Sequence, residues 1–101
     1  MKQFLYMLKL VPRLHEEESW TDRDNEIVDE HFAELQQLQN EGKLLLAGPT
    51  LNELERRVGL VILQVPSEEE AKEIMKNDPE VKKGVMTAEL FPFHAALMSG
   101  Q

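Results

Sequence analysis

The sequence contains no cysteine. This excludes disulfide bonds, thiolate nucleophiles and cysteine-based zinc or iron–sulfur sites, and it fits a reducing compartment such as the cytoplasm. Basic residues are also scarce, because 11 Lys and Arg stand against 19 Asp and Glu, a formal net charge of −8 at pH 7. Nucleic acids and anionic membranes are bound by concentrated positive charge, so we expect neither as a partner.

Long apolar runs and cofactor-binding motifs are missing as well. The longest apolar stretch near the N-terminus covers residues 4–8 and is followed by Lys9, which is too short for a signal peptide or a membrane span. No glycine-rich phosphate loop, nucleophile elbow or His-Glu-x-x-His motif is present, and no fingerprint for flavin, nicotinamide or haem is visible. We therefore expect a soluble, cytoplasmic protein that uses no cofactor.

The residues that are present have a normal globular composition. The chain has 101 residues, of which 42% are apolar and 30% charged. This length and this mixture favour one folded domain. We expect a single domain with its core at about 3–93 and a short C-terminal tail at 94–101.

The hydrophobic pattern predicts the order strand, helix, strand, strand, helix, strand. Ser67 and Glu70 have the spacing of a capping box, and Thr21 or Asp24 is placed to cap the first helix. This βαββαβ order is typical of the ferredoxin-like α+β fold, a four-stranded antiparallel sheet with both helices on one face. The predicted strands cover 3–11, 43–47, 57–65 and 84–93, the helices cover 24–41 and about 67–77, and a long polar loop covers 12–23.

The strands at 3–11 and 57–65 are apolar on both alternating faces. The two helices hide only one face of such a sheet, so the other face needs a partner. We expect a homodimer in which two sheets pack face to face.

Two ionisable residues fall on helix faces that should be buried. His31 lies in the apolar stripe of the first helix, and Asp78 continues the apolar face of the second. Antiparallel helices would bring both to the same edge of the sheet, where an Asp–His pair can exchange protons near neutral pH. The alternative is structural: His31 as a hydrogen-bonded core residue and Asp78 as a helix stop.

These residues belong to a longer set that resembles the YciI-like (YCII-related) family. In the first half the resemblance rests on the runs HFAELQQL at 31–38 and GKLLLAGP at 42–49. In the second half it rests on SEEEA at 67–71, on NDP at 77–79, and on Val81 and Gly84. The loop at 15–24 and the segment at 53–57 depart from the family pattern and could change the shape of a pocket.

The resemblance implies a ferredoxin-like protein that forms a dimeric α/β barrel. It also implies that His31 and Asp78 are the catalytic pair. Similar barrels include muconolactone isomerase-type and monooxygenase-type enzymes, and some relatives act in the degradation of aromatic compounds. Most family members have no assigned substrate.

Six further residues are predicted to bind the substrate. Arg13 or Arg23 could hold a carboxylate with two hydrogen bonds, although a solvated loop arginine is the simpler interpretation. Trp20 is unusual in a polar loop and could line a cavity or anchor the loop. The complete set is Tyr6, Arg13, Trp20, Arg23, Gly48 and Pro49.

The sequence gives little support for a metal site or for a functional role of the other two histidines. His31 and Glu34 are spaced for metal binding on one helix, but the sequence points to no further ligands, so we expect no metal. His15 and His94 have no spaced partners and are predicted to lie on the surface.

Two functions of different classes remain open. One is a small cofactor-free enzyme of the lyase or isomerase type, in which Asp78 orients His31 for general acid–base chemistry on a small organic substrate. The other is a non-catalytic dimeric module that binds a small ligand or a partner. An oxygen-dependent monooxygenase rests on analogy of fold alone. A sealed His31 favours the module, whereas a cavity that reaches its ring favours the enzyme.

Overall fold

A computed structural model describes residues 1–100 of the chain, so Gln101, the last residue of the predicted tail, lies outside the described part. The strands are β1 (Lys2–Leu10), β2 (Leu44–Pro49), β3 (Val58–Val65) and β4 (Met86–Phe93), and the helices are α1 (Asp22–Asn40), α2 (Glu68–Asn77) and α3 (Pro79–Lys82). The strands form one antiparallel sheet in the order β2-β3-β1-β4. The predicted ferredoxin-like α+β fold is confirmed.

The helices cover one face of the sheet and form the main core with it. Every second residue of β1 is buried from Phe4 to Leu10, as the two-residue period of a strand requires. Those from Phe4 to Leu8 pack against Leu35 and Leu38 of α1 and Ala71 of α2. The opposite face of β1 and β3 carries apolar side chains that stay partly exposed, namely Leu5, Met7, Leu60 and Ile62.

Helix α1 begins two residues earlier than the pattern predicts. Thr21 accepts a hydrogen bond from the backbone N–H of Asp24, whose side chain accepts one from the backbone of Thr21. This capping box satisfies free N–H groups of the first turn and fixes the start of the helix at Asp22. The helix ends before Gly42, which has a φ of +75° that suits glycine.

The predicted loop at 12–23 contains local structure. Two short 3-10 turns cover Pro12–His15 and Glu17–Ser19. Leu14 is fully buried in a second small core with Leu10, Ile27 and Val85. The loop is therefore anchored to the domain by an apolar side chain.

The predicted end of β2 at residue 47 is wrong, because the strand continues through Pro49. β2 is an edge strand of the sheet. A proline is tolerated there because the outer side of an edge strand needs no N–H donor.

A further difference follows α2. The helix ends at Asn77 as predicted, but the chain turns at once into the short helix α3. Pro79 occupies its first position, where a missing N–H costs nothing, and Asp78 caps it by accepting a hydrogen bond from Glu80 N. β4 then starts at Met86 rather than at Gly84, because Val85 N donates to Glu80 O and Gly84 adopts a φ of +78°.

None of the helices at residues 1–100 is long and apolar enough to cross a membrane.

Candidate functional site

The side chains of His31 and Asp78 meet between α1 and the start of α3. His31 Nδ1 lies 2.8 Å from Asp78 Oδ1 and 2.9 Å from Oδ2. Carboxylate oxygens only accept, so Nδ1 carries the hydrogen in this contact. The side chain of His31 is 13% exposed and that of Asp78 only 2%, so the pair lies at the edge of the core.

Asp78 is held from two further directions. The hydroxyl of Tyr6 donates a hydrogen bond of 2.6 Å to Oδ2, and the backbone N–H of Glu80 donates one of 2.9 Å to Oδ1. Tyr6 comes from β1, so the sheet, α1 and α3 all fix the same carboxylate. Burial, together with the charge of Asp78, raises the pKa of Tyr6 far above its usual value, which keeps the hydroxyl protonated as a donor.

Glu80 is a third ionisable residue at this site, and the sequence analysis does not single it out. Its Oε1 lies 3.1 Å from His31 Nδ1, and its side chain is only 3% exposed. Burial raises the pKa of Glu80 to about 7, although the charge of His31 opposes this shift. The Asp-Pro sequence could have drawn attention to Glu80. A proline often occupies the first position of a helix, which places the next residue in the first helical turn.

Burial disfavours the charged imidazole of His31, but its acidic neighbours outweigh that effect. The hydrogen bond that His31 donates to Asp78 and the negative charges of Glu80 and Asp78 raise the pKa of His31 above its usual value. Nε2, on the other side of the ring, has no hydrogen-bond partner among residues 1–100. This nitrogen is therefore free to exchange a proton with a bound molecule.

A cavity of about 620 Å³ reaches His31 and Glu80. Its walls are mostly apolar and come from α1 and all four strands of the sheet, together with the loop residue Trp20. Trp20 is fixed in place because its indole N–H donates a 3.0 Å hydrogen bond to Leu14 O. Three residues predicted to bind substrate line this cavity: Trp20, Gly48 and Pro49.

The other three predicted substrate-binding residues have different surroundings. Arg13 makes two hydrogen bonds of 2.9 Å to the carboxylate of Asp24, and Arg23 pairs with Glu26 and Glu30 on the surface of α1. Tyr6 has no exposed surface and contacts Asp78 instead of the cavity. Arg57 is the arginine that lines the cavity, and it lies in the segment at 53–57 that departs from the family pattern.

His31, Asp78 and Glu80 could also hold a cation, because one ligand atom from each lies within 4.8 Å of the others. The predicted companion Glu34 is exposed and lies outside this group. Metal binding at Nδ1 would require the loss of the proton that the two carboxylates stabilise.

The fold and the site define a ferredoxin-like α+β protein with a His–Asp pair beside a cavity. The family model of the YCII-related domain matches residues 5–94, so the chain belongs to the YCII-related family. No curated protein matches the sequence.

One solved structure similar to this chain is the 5-chloro-2-hydroxyhydroquinone dehydrochlorinase (TftG) of Burkholderia phenoliruptrix in complex with 2,5-dihydroxybenzoquinone. The two chains are 20% identical, the match covers 91% of this chain and 93% of the other, and the TM-score is 0.62. At this level of sequence identity, the similarity shows that the two chains share a fold.

Proposed function

We propose that this protein is a cofactor-free enzyme of the lyase or isomerase type, in which His31 exchanges a proton with a small organic substrate in the cavity. The observation that carries the proposal is the position of His31. Its Nδ1 is held by Asp78, and its ring borders a cavity large enough for a small molecule. A dry, sealed ring would have favoured a structural histidine.

Asp78 has the role of orienting the ring in this proposal. By accepting the Nδ1 hydrogen it favours the tautomer whose Nε2 is unprotonated and basic. Nε2 removes a proton from a carbon or a hydroxyl group of the substrate. In an elimination the remaining electron pair forms a double bond and expels the leaving group; in an isomerisation the proton returns at another position.

The cavity favours a substrate with an apolar ring and few polar groups. Apolar side chains form most of its wall. Polar contacts are offered by His31 and Glu80, which lie together, and by Arg57. The structural neighbour is titled as a dehydrochlorinase of a chlorinated hydroxyhydroquinone. We therefore propose hydroxylated, oxidised or halogenated six-membered rings as the first substrates to test, with Arg57 near an anionic oxygen.

We also propose that the working form is a homodimer joined through the open face of the sheet. The apolar side chains there come from the two central strands and lie directly opposite one another: Leu5 opposite Ile62, and Met7 opposite Leu60. Each is partly exposed in the single chain. Packing two such faces together removes this apolar surface from water.

The test is a panel of hydroquinones, chlorohydroquinones and hydroxybenzoquinones, which includes 2,5-dihydroxybenzoquinone. Binding is measured by thermal shift, since a ligand of the native state raises the melting temperature, and turnover is followed by ultraviolet absorbance and product analysis. The variant is His31→Gln, and the matched control is His94→Gln at an exposed histidine outside the cavity.

The proposal expects turnover of at least one compound by the wild type and by the His94→Gln control. His31→Gln retains binding and loses turnover. Equal turnover by His31→Gln and the wild type would contradict the assignment of His31. Binding without turnover by the wild type would favour the non-catalytic module.

A further inference from the structure

Trp20 lines the cavity from a loop rather than from a helix or strand, and the proposed chemistry of His31 and Asp78 does not use it. It is the only tryptophan of the chain. Its indole N–H already donates a 3.0 Å hydrogen bond to Leu14 O, and an indole has no other hydrogen-bonding atom. The side chain can therefore offer a ligand only the apolar surface of its rings.

Two side chains cross between the ends of this loop and close it on itself. Trp20 reaches back to Leu14 O, and Arg13 reaches forward, where its Nη1 donates a 3.1 Å hydrogen bond to Ser19 O. The fully buried side chain of Leu14 fixes the closed loop to the second core. Arg13 itself does not line the cavity, so its effect on a ligand passes through the neighbouring indole.

Arg13 also ties the loop to helix α1. Its Nη1 and Nη2 each lie 2.9 Å from an oxygen of Asp24, whose side chain is only 5% exposed. Two parallel hydrogen bonds fix the direction of the guanidinium group, which the ammonium group of a lysine cannot reproduce. Asp24 lies two turns before His31 on α1, about 10 Å along the helix axis. One rigid element therefore carries both the imidazole and the anchor of the indole.

We propose that Arg13 is a positioning residue that holds the indole of Trp20 as the wall on which the ring of the substrate packs. The role in turnover rests on the proposed function. Trp20 contacts the apolar part of the ring, because its N–H is already committed. The charged or reacting substituents then face His31, Glu80 and Arg57 of the same cavity. A flat aromatic or quinone ring suits this wall better than an acyclic compound, because it packs on an indole with a large contact area.

The positioning can be tested without a substrate, because the tryptophan emission of this chain reports on Trp20 alone. We would compare the wild type with Arg13→Lys, which keeps a positive charge beside Asp24 but loses the paired hydrogen bonds. The matched control is Arg56→Lys, at an exposed arginine that pairs with Glu53 outside the cavity. Circular dichroism checks the fold of each variant, and acrylamide quenching measures the access of solvent to the indole.

The proposal expects Arg13→Lys to retain the fold while the indole becomes more accessible. The emission shifts to longer wavelength and the acrylamide quenching constant rises, because the released indole contacts more water. Arg56→Lys behaves like the wild type in both measurements. Emission and quenching that are identical in the wild type and in folded Arg13→Lys would overturn the proposal.

Binding of 2,5-dihydroxybenzoquinone gives the second readout. In the wild type the bound ring quenches the emission of Trp20 and shields the indole from acrylamide. In Arg13→Lys the Kd and the KM rise about 3- to 10-fold, as expected for loss of an aromatic contact. The kcat changes little, because the contact between His31 and Asp78 is intact. This split between KM and kcat is not expected of a residue that only stabilises the fold.

The two readouts fail separately. If no compound of the panel binds, the proposed function fails, while acrylamide quenching in Arg13→Lys still decides whether Arg13 positions the indole. If Arg13→Lys does not fold, the wild type decides: a bound quinone that leaves the emission of Trp20 and its access to acrylamide unchanged would overturn the proposal. Unchanged Kd and KM in folded Arg13→Lys would also overturn it.

Discussion

The hydroxyl of Tyr6 donates a 2.6 Å hydrogen bond to Oδ2 of Asp78, across 72 positions of the sequence. This bond joins the central strand β1 to the start of α3, and so it ties the sheet to the residue that orients His31. Tyr6 has no exposed surface, and Asp78 is buried as well. The carboxylate is therefore buried, and its hydrogen bonds come from protein groups rather than from bulk water.

Tyr6→Phe is expected to destabilise the fold, because it removes one donor from a buried carboxylate. A hydrogen bond to a charged group contributes about 2 kcal/mol, so the free energy of unfolding should fall by about that amount. Urea denaturation followed by circular dichroism measures it. A decrease below about 0.5 kcal/mol would mean that the bond contributes no more than an ordinary surface contact.

Asp78→Asn is expected to lower the pKa of the His31 imidazole. The hydrogen bond and the charge of Asp78 both raise that pKa in the native protein, so their removal leaves only the charge of Glu80 to oppose the effect of burial. NMR titration of the histidine ring protons measures the change. Asp29→Asn, at an exposed position of the same helix, is the control and should leave the titration where it is. A His31 pKa that stays the same or rises in Asp78→Asn would contradict the orienting contact.

The stability of the protein is expected to fall as the pH rises through the neutral range. Burial raises the pKa of Glu80 from 4.5 to about 7, so the folded chain keeps a proton that the unfolded chain releases. This contribution to stability is complete below about pH 4.5 and is lost as the pH rises through about 7, a change of about 3 kcal/mol. The raised pKa of His31 acts in the same direction above 6.5.

Urea denaturation of the wild type, Glu80→Gln and Glu34→Gln at several pH values tests this dependence. Glu80→Gln should lose less stability between about pH 5 and 8 than the other two proteins. Asp24 does not interfere, because its lowered pKa affects stability only below its ordinary value of 3.8. Equal slopes in all three proteins would show that Glu80 does not titrate in the folded state.

Ile62→Asp is expected to separate the proposed dimer. Ile62 lies opposite Leu5 on the open face of the sheet, so a carboxylate there would be buried without a partner in a face-to-face dimer. Sedimentation at tens of micromolar protein measures the mass. Leu51→Asp makes the same kind of change at a residue that is 89% exposed and should leave the mass unchanged. A wild type that sediments as a monomer would contradict the dimer.

The fold could be predicted from the sequence because its signals are local. Alternating apolar residues indicate the strands, and Thr21, Ser67 and Gly42 mark the ends of helices by caps that need no distant contact. The topology then places the N-terminal half of α1 beside the end of α2. The approach of His31 to Asp78 followed from that topology.

The surroundings of the pair could not be predicted, because they depend on tertiary contacts. The four residues of α3 are too few to show a helical period. The sequence pattern therefore could not predict that the side chain of Glu80 is buried. Arg13 and Arg23 had suitable positions in the sequence, but nearby carboxylates on α1 hold both guanidinium groups. Tyr6 lies on the buried side of β1, and only the folded chain brings Asp78 to its hydroxyl.

A crystal structure of the protein with 2,5-dihydroxybenzoquinone, or with any compound that it turns over, tests the central claim most directly. The account predicts that a ligand oxygen or reacting carbon lies about 3 Å from Nε2 of His31, inside the cavity beside Trp20 and Glu80. A ligand bound elsewhere on the protein, with Nε2 contacted by no ligand atom, would contradict it.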